Sequence, residues 1–535
     1  MSDVLGKLHR RAVGAHRWAR FALALRNSLR HPISVDDART IVRGRVEDRQ
    51  ANFLRMVERN IYGHPKSPYL PLLKHAGCDL GDIVAMVRSM GLEDTLRALR
   101  RAGVYVTFEE FKGREPIVRN ELVIQVRPSD FSNPFISNYY QALSGGTTGS
   151  LMQAPMNLSH VAAQAPIELL SFAANNLVNA PVAIWWPVYG GYGMTVIIRG
   201  AHRRAPLHRW FSPTDSSDYK TTEWDRLNTF LILALRLSGA SVPWPETVRL
   251  GEAAIIAHWA AQTISVHKRC VVQCSVSMCT RIALAALSEG LDLTGATFVG
   301  GGEPPTPGKL RHIRATGAGW VPYYFFSEAG CAGYGCGNPV DENDLHFARD
   351  RLALIQYSRQ VPGWDILVDA FNFTSLLPTA RMVLLNVESD DYGVIEQRSC
   401  GCLLEQEGLT DHLRQVRSFR KLTGEGMTLV GTDMIRILEE VLPARFGGSA
   451  LDYQLVEEED ADGFTRLALA ISPRIEIPDE KAVIEAVLGN LRNFPPIIWR
   501  QAGSLKVKRV EPVWTARGKL MPLHLDRRTP TATSV

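Results

Sequence analysis

The stretch Ser144-Gly145-Gly146-Thr147-Thr148-Gly149-Ser150 is built of glycines and small hydroxylated residues alone. Glycine frees the backbone to bend and to bring its N–H groups close to an anion. The hydroxyls add donors without bulk, so the loop suits a polyphosphate. No Gly-Lys-Ser/Thr ending follows, which separates it from the P-loop of kinases and GTPases. Plain Gly/Ser/Thr turns are common, so its meaning depends on what surrounds it. Strand-like runs (Leu122–Val126, Val182–Trp186, Met194–Ile198, Cys270–Val272) alternate with helix-like ones at 158–177, 223–238, 250–267 and 276–289. That alternation predicts an α/β domain around a largely parallel sheet.

Further out, residues 1 to about 125 read as helical, with Ile83, Met86 and Val87 on one face. Beyond about residue 423 a helix (432–442), strands (451–456, 465–471) and a helix (479–491) predict a compact α+β unit. The glycines of Thr423-Gly424-Glu425-Gly426 mark the boundary. The chain thus divides into a helical N-terminal extension (1–110), a large domain (111–423) and a small C-terminal domain (424–535).

The 535 residues are 45% hydrophobic and 21% charged, an ordinary soluble balance. A net charge of +5 without a concentrated basic stripe argues against a nucleic-acid partner. No apolar run is long enough to span a bilayer and no secretory segment is evident, so a cytoplasmic protein is expected. Lys7, Arg10, Arg11, Arg17, Arg20, Arg26 and Arg30 lie near the start with Trp18, Phe21, Leu23 and Leu25. A solvated amphipathic helix is the first reading of that segment, and a membrane-surface helix the second.

Five features occur in series: Ser144–Ser150, Gly301-Gly302-Glu303, Tyr324-Phe325-Phe326-Ser327-Glu328, Asp390-Asp391-Tyr392-Gly393 and Thr515-Ala516-Arg517-Gly518-Lys519. In this order they resemble the adenylate-forming superfamily (acyl/aryl-CoA synthetases), and within it the phenylacetate-CoA ligase-like branch, over roughly residues 110–525. The resemblance implies a large domain of layered sheets and helices with a small, mobile α+β domain behind it. It also implies attack of a carboxylate on the α-phosphate of ATP, giving an acyl-adenylate, where charge stabilisation at phosphorus dominates.

Under that resemblance Ser144, Gly145, Gly146, Thr147, Thr148 and Gly149 wrap the β- and γ-phosphates, and Gly301, Gly302 and Glu303 line the adenine side. Tyr324 stacks on adenine, Ser327 contacts phosphate, and Glu328 binds Mg²⁺ as a hard oxygen ligand. Asp391 accepts the ribose hydroxyls, with Asp390 as the competing choice, and Lys519 meets the carboxylate and α-phosphate oxygens. Three positions depart from the family pattern. Leu151-Met152-Gln153 replaces its Pro-Lys, Phe325 replaces a glycine, and no arginine follows Gly424, with Arg420 or Lys421 as substitutes.

Cysteine offers a separate clue. Cys400-Gly401-Cys402 sets two thiols on one turn, and Cys336 and His346 lie upstream, a donor set for a structural tetrahedral zinc site. The branch resembled carries such clusters in this region. Cys331 is the rival to Cys336, while Cys270, Cys274 and Cys279 sit among apolar residues and read as buried thiols.

The function implied is an ATP-dependent acid–thiol ligase for an aromatic or hydrophobic small-molecule carboxylic acid, with CoA as acceptor. An acyl-carrier-protein thiol or an amine is the alternative acceptor, a non-catalytic nucleotide-binding scaffold the alternative role, and a homodimer the expected assembly. Trp185, Trp186, Tyr189, Gly190 and Gly191 are candidates for the acid pocket.

Overall fold

The central parallel strands of this protein are buried along nearly their whole length because helices cover both of their faces. The computed structural model describes residues 19–136, 140–144, 152–188, 192–205, 207–218, 222–360, 367–418, 422–424, 427–429, 434, 436–490, 497–513 and 523–525. Its centre is a twelve-stranded sheet. In chain order the strands are β1 (Val182–Trp185), β2 (Leu207–Ser212), β3 (Pro245–Thr247), β4 (Cys270–Ser275), β5 (Ala296–Gly301), β6 (Gly319–Phe326), β7 (Gly330–Gly335), β8 (Leu345–Phe347), β9 (Leu352–Gln360), β10 (Leu367–Ser375), β11 (Val387–Gln397) and β12 (Asp411–Ser418). Their order across the sheet is β9-β10-β11-β12-β8-β7-β6-β5-β4-β1-β2-β3.

From β3 to β6 all neighbours pair parallel, and from β6 to β9 all pair antiparallel. The parallel half needs crossover helices. These include α7 (Leu158–Ala174), α8 (Tyr192–His202), α9 (Thr222–Leu237), α10 (Ala253–His267), α11 (Val276–Ser288) and α12 (Pro307–Ala315). One expectation fails here: Met194–Ile198 is not a strand but the middle of α8. A five-residue apolar run fits either period. The parallel pairing of β1 with β2 requires a crossover between them, and α8 supplies it.

Ahead of these lie α1 (Val35–Glu47), α2 (Arg49–Val57), α3 (Tyr69–His75), α4 (Leu80–Met90), α5 (Leu92–Arg101) and α6 (Phe108–Phe111). They do not form a core of their own. Phe53, Tyr69, Leu72, Leu96 and Phe111 share one apolar cluster with Leu354, Phe373, Leu385 and Val387 of the antiparallel half. Tyr69 donates its hydroxyl to the Val383 carbonyl at 3.0 Å, and Asn386 donates to the Leu96 and Val104 carbonyls at 2.8 and 3.1 Å. Phe21, Leu25 and Leu29, spaced by four, are buried in the cluster that contains α7, which favours the first reading of the basic N-terminal segment. Residues 1–18 lie outside the described residues.

The C-terminal unit has a four-stranded sheet, β15-β14-β13-β16, of β13 (Tyr453–Glu459), β14 (Thr465–Ile471), β15 (Leu505–Arg509) and β16 (Leu523–Leu525). α13 (Glu480–Gly489) packs on it, with Val483 and Val487 in its core. The glycine-rich boundary is a small hairpin, Leu422–Gly424 paired with Met427–Leu429. Arg420, Lys421, Glu425 and Gly426 lie outside the described residues. Among the described residues no helix is long and apolar enough to cross a membrane.

Candidate active site and metal centre

In open α/β sheets, ligands gather beyond the carboxyl ends of the parallel strands. Here β5 ends at Gly301 and β6 at Phe326, so Gly302-Glu303 and Ser327-Glu328 leave the sheet from neighbouring strands. A side chain has no room at Gly301: a Cβ there would lie 2.4 Å from the Tyr323 carbonyl oxygen and 2.8 Å from the Phe325 ring. The Glu303 carboxylate faces inward. It accepts from the Ser277 N–H and hydroxyl, each at 2.8 Å, and from the Lys309 ammonium at 2.9 Å, both charged side chains being fully buried. Ser277 lies in the first turn of α11, where a carboxylate also meets the helix dipole. Glu303 is therefore a tie that fixes the Gly301-Gly302 turn.

Tyr324 donates its hydroxyl to Asp391 Oδ2 at 2.8 Å, joining β6 to β11. Burial, the Asp391 charge and this bond push the Tyr324 phenol well above its ordinary pKa, so it remains a donor. Asp391 is the residue that meets the β6 motif. Asp390 beside it takes a left-handed backbone, φ 61°, and its carbonyl accepts from Ser418 at 3.1 Å. Phe325 stacks on Tyr192 (centroids 4.5 Å, 19°), and Trp186 meets Tyr192 edge-on at 4.7 Å. Trp185, in contrast, is core, its indole N–H on the Val248 carbonyl.

Glu328 is held by Lys112, whose ammonium donates to Oε1. Its Oε2 lies 3.4 Å from the Ser327 hydroxyl, and Arg381 donates to the Ser327 carbonyl. Burial alone would raise the Glu328 pKa, but Lys112 and then Arg381 hold it down to about 2. His160 shares a small cavity with Glu328, Arg351, Ser375 and Thr379. Burial and the charges of Arg381, Arg351 and Arg199 push its pKa well below the ordinary value, so its imidazole is neutral.

A group whose folded pKa is depressed contributes stability that is fully present above its unfolded value and is lost as pH falls through the folded one. For Glu328 the window runs from the ordinary 4.5 down to about 2, and the contribution is about 3 kcal/mol. Thermal melts of wild type and Glu328→Gln should therefore differ most above pH 5 and converge towards pH 2. A gap that stays constant with pH would contradict the ion pair.

The strands that flank the glycine-rich loop, Tyr140–Ser144 and Met152–Met156, pair antiparallel with Ser144 opposite Met152. Gly145, Gly146, Thr147, Thr148 and Gly149 lie outside the described residues, as do Lys519 and Tyr189, Gly190 and Gly191.

At the other end of β7 the cysteines converge. Cys336 follows β7, His346 lies in β8, and Cys400 and Cys402 sit on the connection from β11 to β12. The ligand atoms of these four residues all lie within 4.8 Å of one another. Cys402 Sγ is 3.2 Å and Cys400 Sγ 3.5 Å from His346 Nε2. His346 Nδ1 donates to the Leu409 carbonyl at 2.6 Å, which leaves Nε2 bare as a ligand should be. Gly401, with φ 74°, makes the turn that lets both thiols face inward. The hydrogen bond from Cys336 holds the Cys402 thiol below its ordinary range. Three thiols and a bare imidazole nitrogen at this spacing fit a tetrahedral Cys₃His zinc site.

An outer layer supports the cluster. Arg398 donates to Cys336 Sγ at 3.6 Å and to Asp344, and Asp344 Oδ1 pairs with His412 Nδ1 at 2.6 Å. Cys331 belongs elsewhere, buried with its thiol on the Gly333 carbonyl at 3.2 Å. Cys270, Cys274 and Cys279 are fully buried, as expected.

Sequence reasoning missed Lys112, Arg381, Arg398, Asp344 and His412. Each is a common surface type, and only the fold carries it to the site. Tyr192 had a local signal, an aromatic directly after Gly190-Gly191.

No family model and no curated relative matches the sequence. Solved structures with a similar chain path include a 2-hydroxyisobutyryl-CoA ligase in the postadenylation state in complex with R3-HIB-AMP (16% identity, 93% of this chain and 90% of that one, TM-score 0.43). Two others are o-succinylbenzoate CoA synthetase from Bacillus subtilis (11%, 75% and 72%, TM-score 0.40) and an anthranilate CoA ligase in complex with anthranoyl-AMP (12%, 80% and 73%, TM-score 0.32). At these identities and scores the likeness is distant.

Proposed function

We propose that this chain belongs to the adenylate-forming superfamily and is an ATP-dependent acid–thiol ligase. It activates a carboxylic acid as an acyl-adenylate and passes the acyl group to the thiol of CoA. The observation that carries the reading is the bond from Tyr324 to Asp391. It draws together two motifs 67 residues apart at the end of the parallel strands where Gly301-Gly302 and Ser327-Glu328 emerge.

In this reading Asp391 holds the ribose and Tyr324, fixed by it, offers a ring face to adenine. The Gly301-Gly302 turn, anchored through Glu303 and Lys309, gives the nucleotide room at the backbone. The Ser327-Glu328 corner receives the phosphates. Trp186, Tyr192 and Phe325 form an aromatic wall suited to an apolar or aromatic acid. Lys519 offers its ammonium to the carboxylate and α-phosphate oxygens as charge builds there. The Cys₃His centre is structural, since all four positions are filled by protein.

Acid-dependent exchange of labelled pyrophosphate into ATP, run across aryl, arylacetic, fatty and amino acids, tests the reading. At least one acid should support exchange, and Lys519→Ala should lower it by about 100-fold or more while ATP still binds. Silence across the panel with ATP binding intact would replace the ligase by a nucleotide-binding scaffold.

A further inference from the structure

The corner at Ser327-Glu328 carries more positive charge than a magnesium site tolerates. Lys112 follows α6, and its side chain is 2% exposed. Thr107 and Glu110 cap α6, and the acids of that helix are engaged elsewhere, Glu110 with Arg119 at 2.7 Å and Glu109 with Arg114 at 2.8 Å. The Lys112 ammonium lies on Glu328. Arg381 reaches the same corner through the Ser327 carbonyl. Arg351, 4% exposed, donates Nη1 to the Ala329 carbonyl at 2.9 Å, while its Nε and Nη2 have no partner among the described residues. Arg351 and Glu328 line the same cavity. Asp350, next to Arg351 in the chain, is paired with Arg45 at 3.3 Å and also feels the Arg351 charge.

Lys112 and Arg381 thus act directly on the one carboxylate, and Arg351 lines the cavity beside it. A divalent ion at Glu328 would have to displace an ammonium and then face two guanidinium groups with a single anionic ligand. These residues do not fit magnesium. They fit an anion, because buried positive charge without a counter-charge is costly until one arrives.

We infer that Lys112, Arg381 and Arg351 are triphosphate-binding residues, supplying from the protein the positive charge at Glu328 that a magnesium ion would otherwise bring. The chain therefore binds ATP without a divalent ion. This rests on the nucleotide-site reading above. The Glu328 carboxylate holds the Lys112 ammonium in place.

Calorimetric titration with ATP and with inorganic tripolyphosphate tests this, with and without added magnesium and without chelators, which would attack the cysteine cluster. For the wild type, omission of magnesium should change the ATP dissociation constant by less than about threefold. Lys112→Met should weaken magnesium-free binding of both ligands by roughly tenfold or more, and Lys112→Arg should retain it. Wild-type ATP binding that collapses without magnesium would overturn this inference and leave the ligase reading standing. Magnesium-free binding by Lys112→Met equal to wild type would do the same. Failure of ATP to bind under either condition would overturn both. The wild-type comparison needs no variant, so a misfolded Lys112→Met leaves the decision intact.

Discussion

Cys402→Ser is expected to abolish zinc binding at the proposed Cys₃His site and to lower the melting temperature by several degrees. Structural zinc in small domains contributes about 10–16 kcal/mol of folding free energy. Here the large apolar cores remain, so we expect a loss of about 5 kcal/mol, confined at first to the β7–β8 and β11–β12 connections. The effect reaches the proposed nucleotide site because two strands serve both. β7 starts just after Glu328 and ends just before Cys336, and β11 carries Asp391 and ends just before Cys400. Elemental analysis of the purified wild type and of Cys402→Ser, with melting curves for both, decides the matter. Cys279→Ser is the control: it also alters a buried thiol, yet should leave the metal content unchanged. A metal-free wild type with a normal melt would end the zinc assignment.

The second large effect belongs to Asp391. Hydrogen bonds to an ionised group are worth about 1.5–3 kcal/mol each. Asp391→Asn replaces a carboxylate by an amide that offers a donor where an acceptor is needed, to Tyr324 and, in the proposed nucleotide site, to the ribose. The expected result is a rise in the KM for ATP of about 100-fold with a smaller change in kcat. Tyr324→Phe removes the hydroxyl that meets Asp391 and keeps the ring, so it should cost less, about tenfold. Equal ATP saturation curves for wild type and Asp391→Asn would remove Asp391 from the nucleotide site. They would also remove the observation on which the proposed function stands.

Much of this was legible in the sequence, for uneven reasons. β4 and helices α7, α10 and α11 could be read because long periodic runs and their caps leave little choice. α8 could not, since Met194–Ile198 is short and apolar and is helical only because two parallel strands need a crossover. The four residues of the Cys₃His cluster were legible as residue types, because few donor sets suit zinc. The fold decides between Cys336 and Cys331, turning one thiol towards His346 and the other into the core. Glu303 was legible as part of a motif, yet its carboxylate faces Lys309 and Ser277 rather than outward. Lys112 carried no signal at all. It is 216 residues from Glu328, and a lone lysine in a polar stretch reads as a solvated charge.

The pairing of the N-terminal helices with the antiparallel half of the sheet also bears on synthesis. Tyr69 must wait for Val383, 314 residues later, before its hydroxyl finds a carbonyl and its ring finds a core. At a ribosomal rate of about 5–20 residues per second that wait is roughly 15–60 s. Hydrophobic collapse takes microseconds, so the apolar faces of α2, α3 and α5 spend most of translation exposed to premature association. The apolar residues of α2, α3 and α5 are therefore made long before they are buried. A nascent chain stalled short of β11 should be a strong client for a holding chaperone.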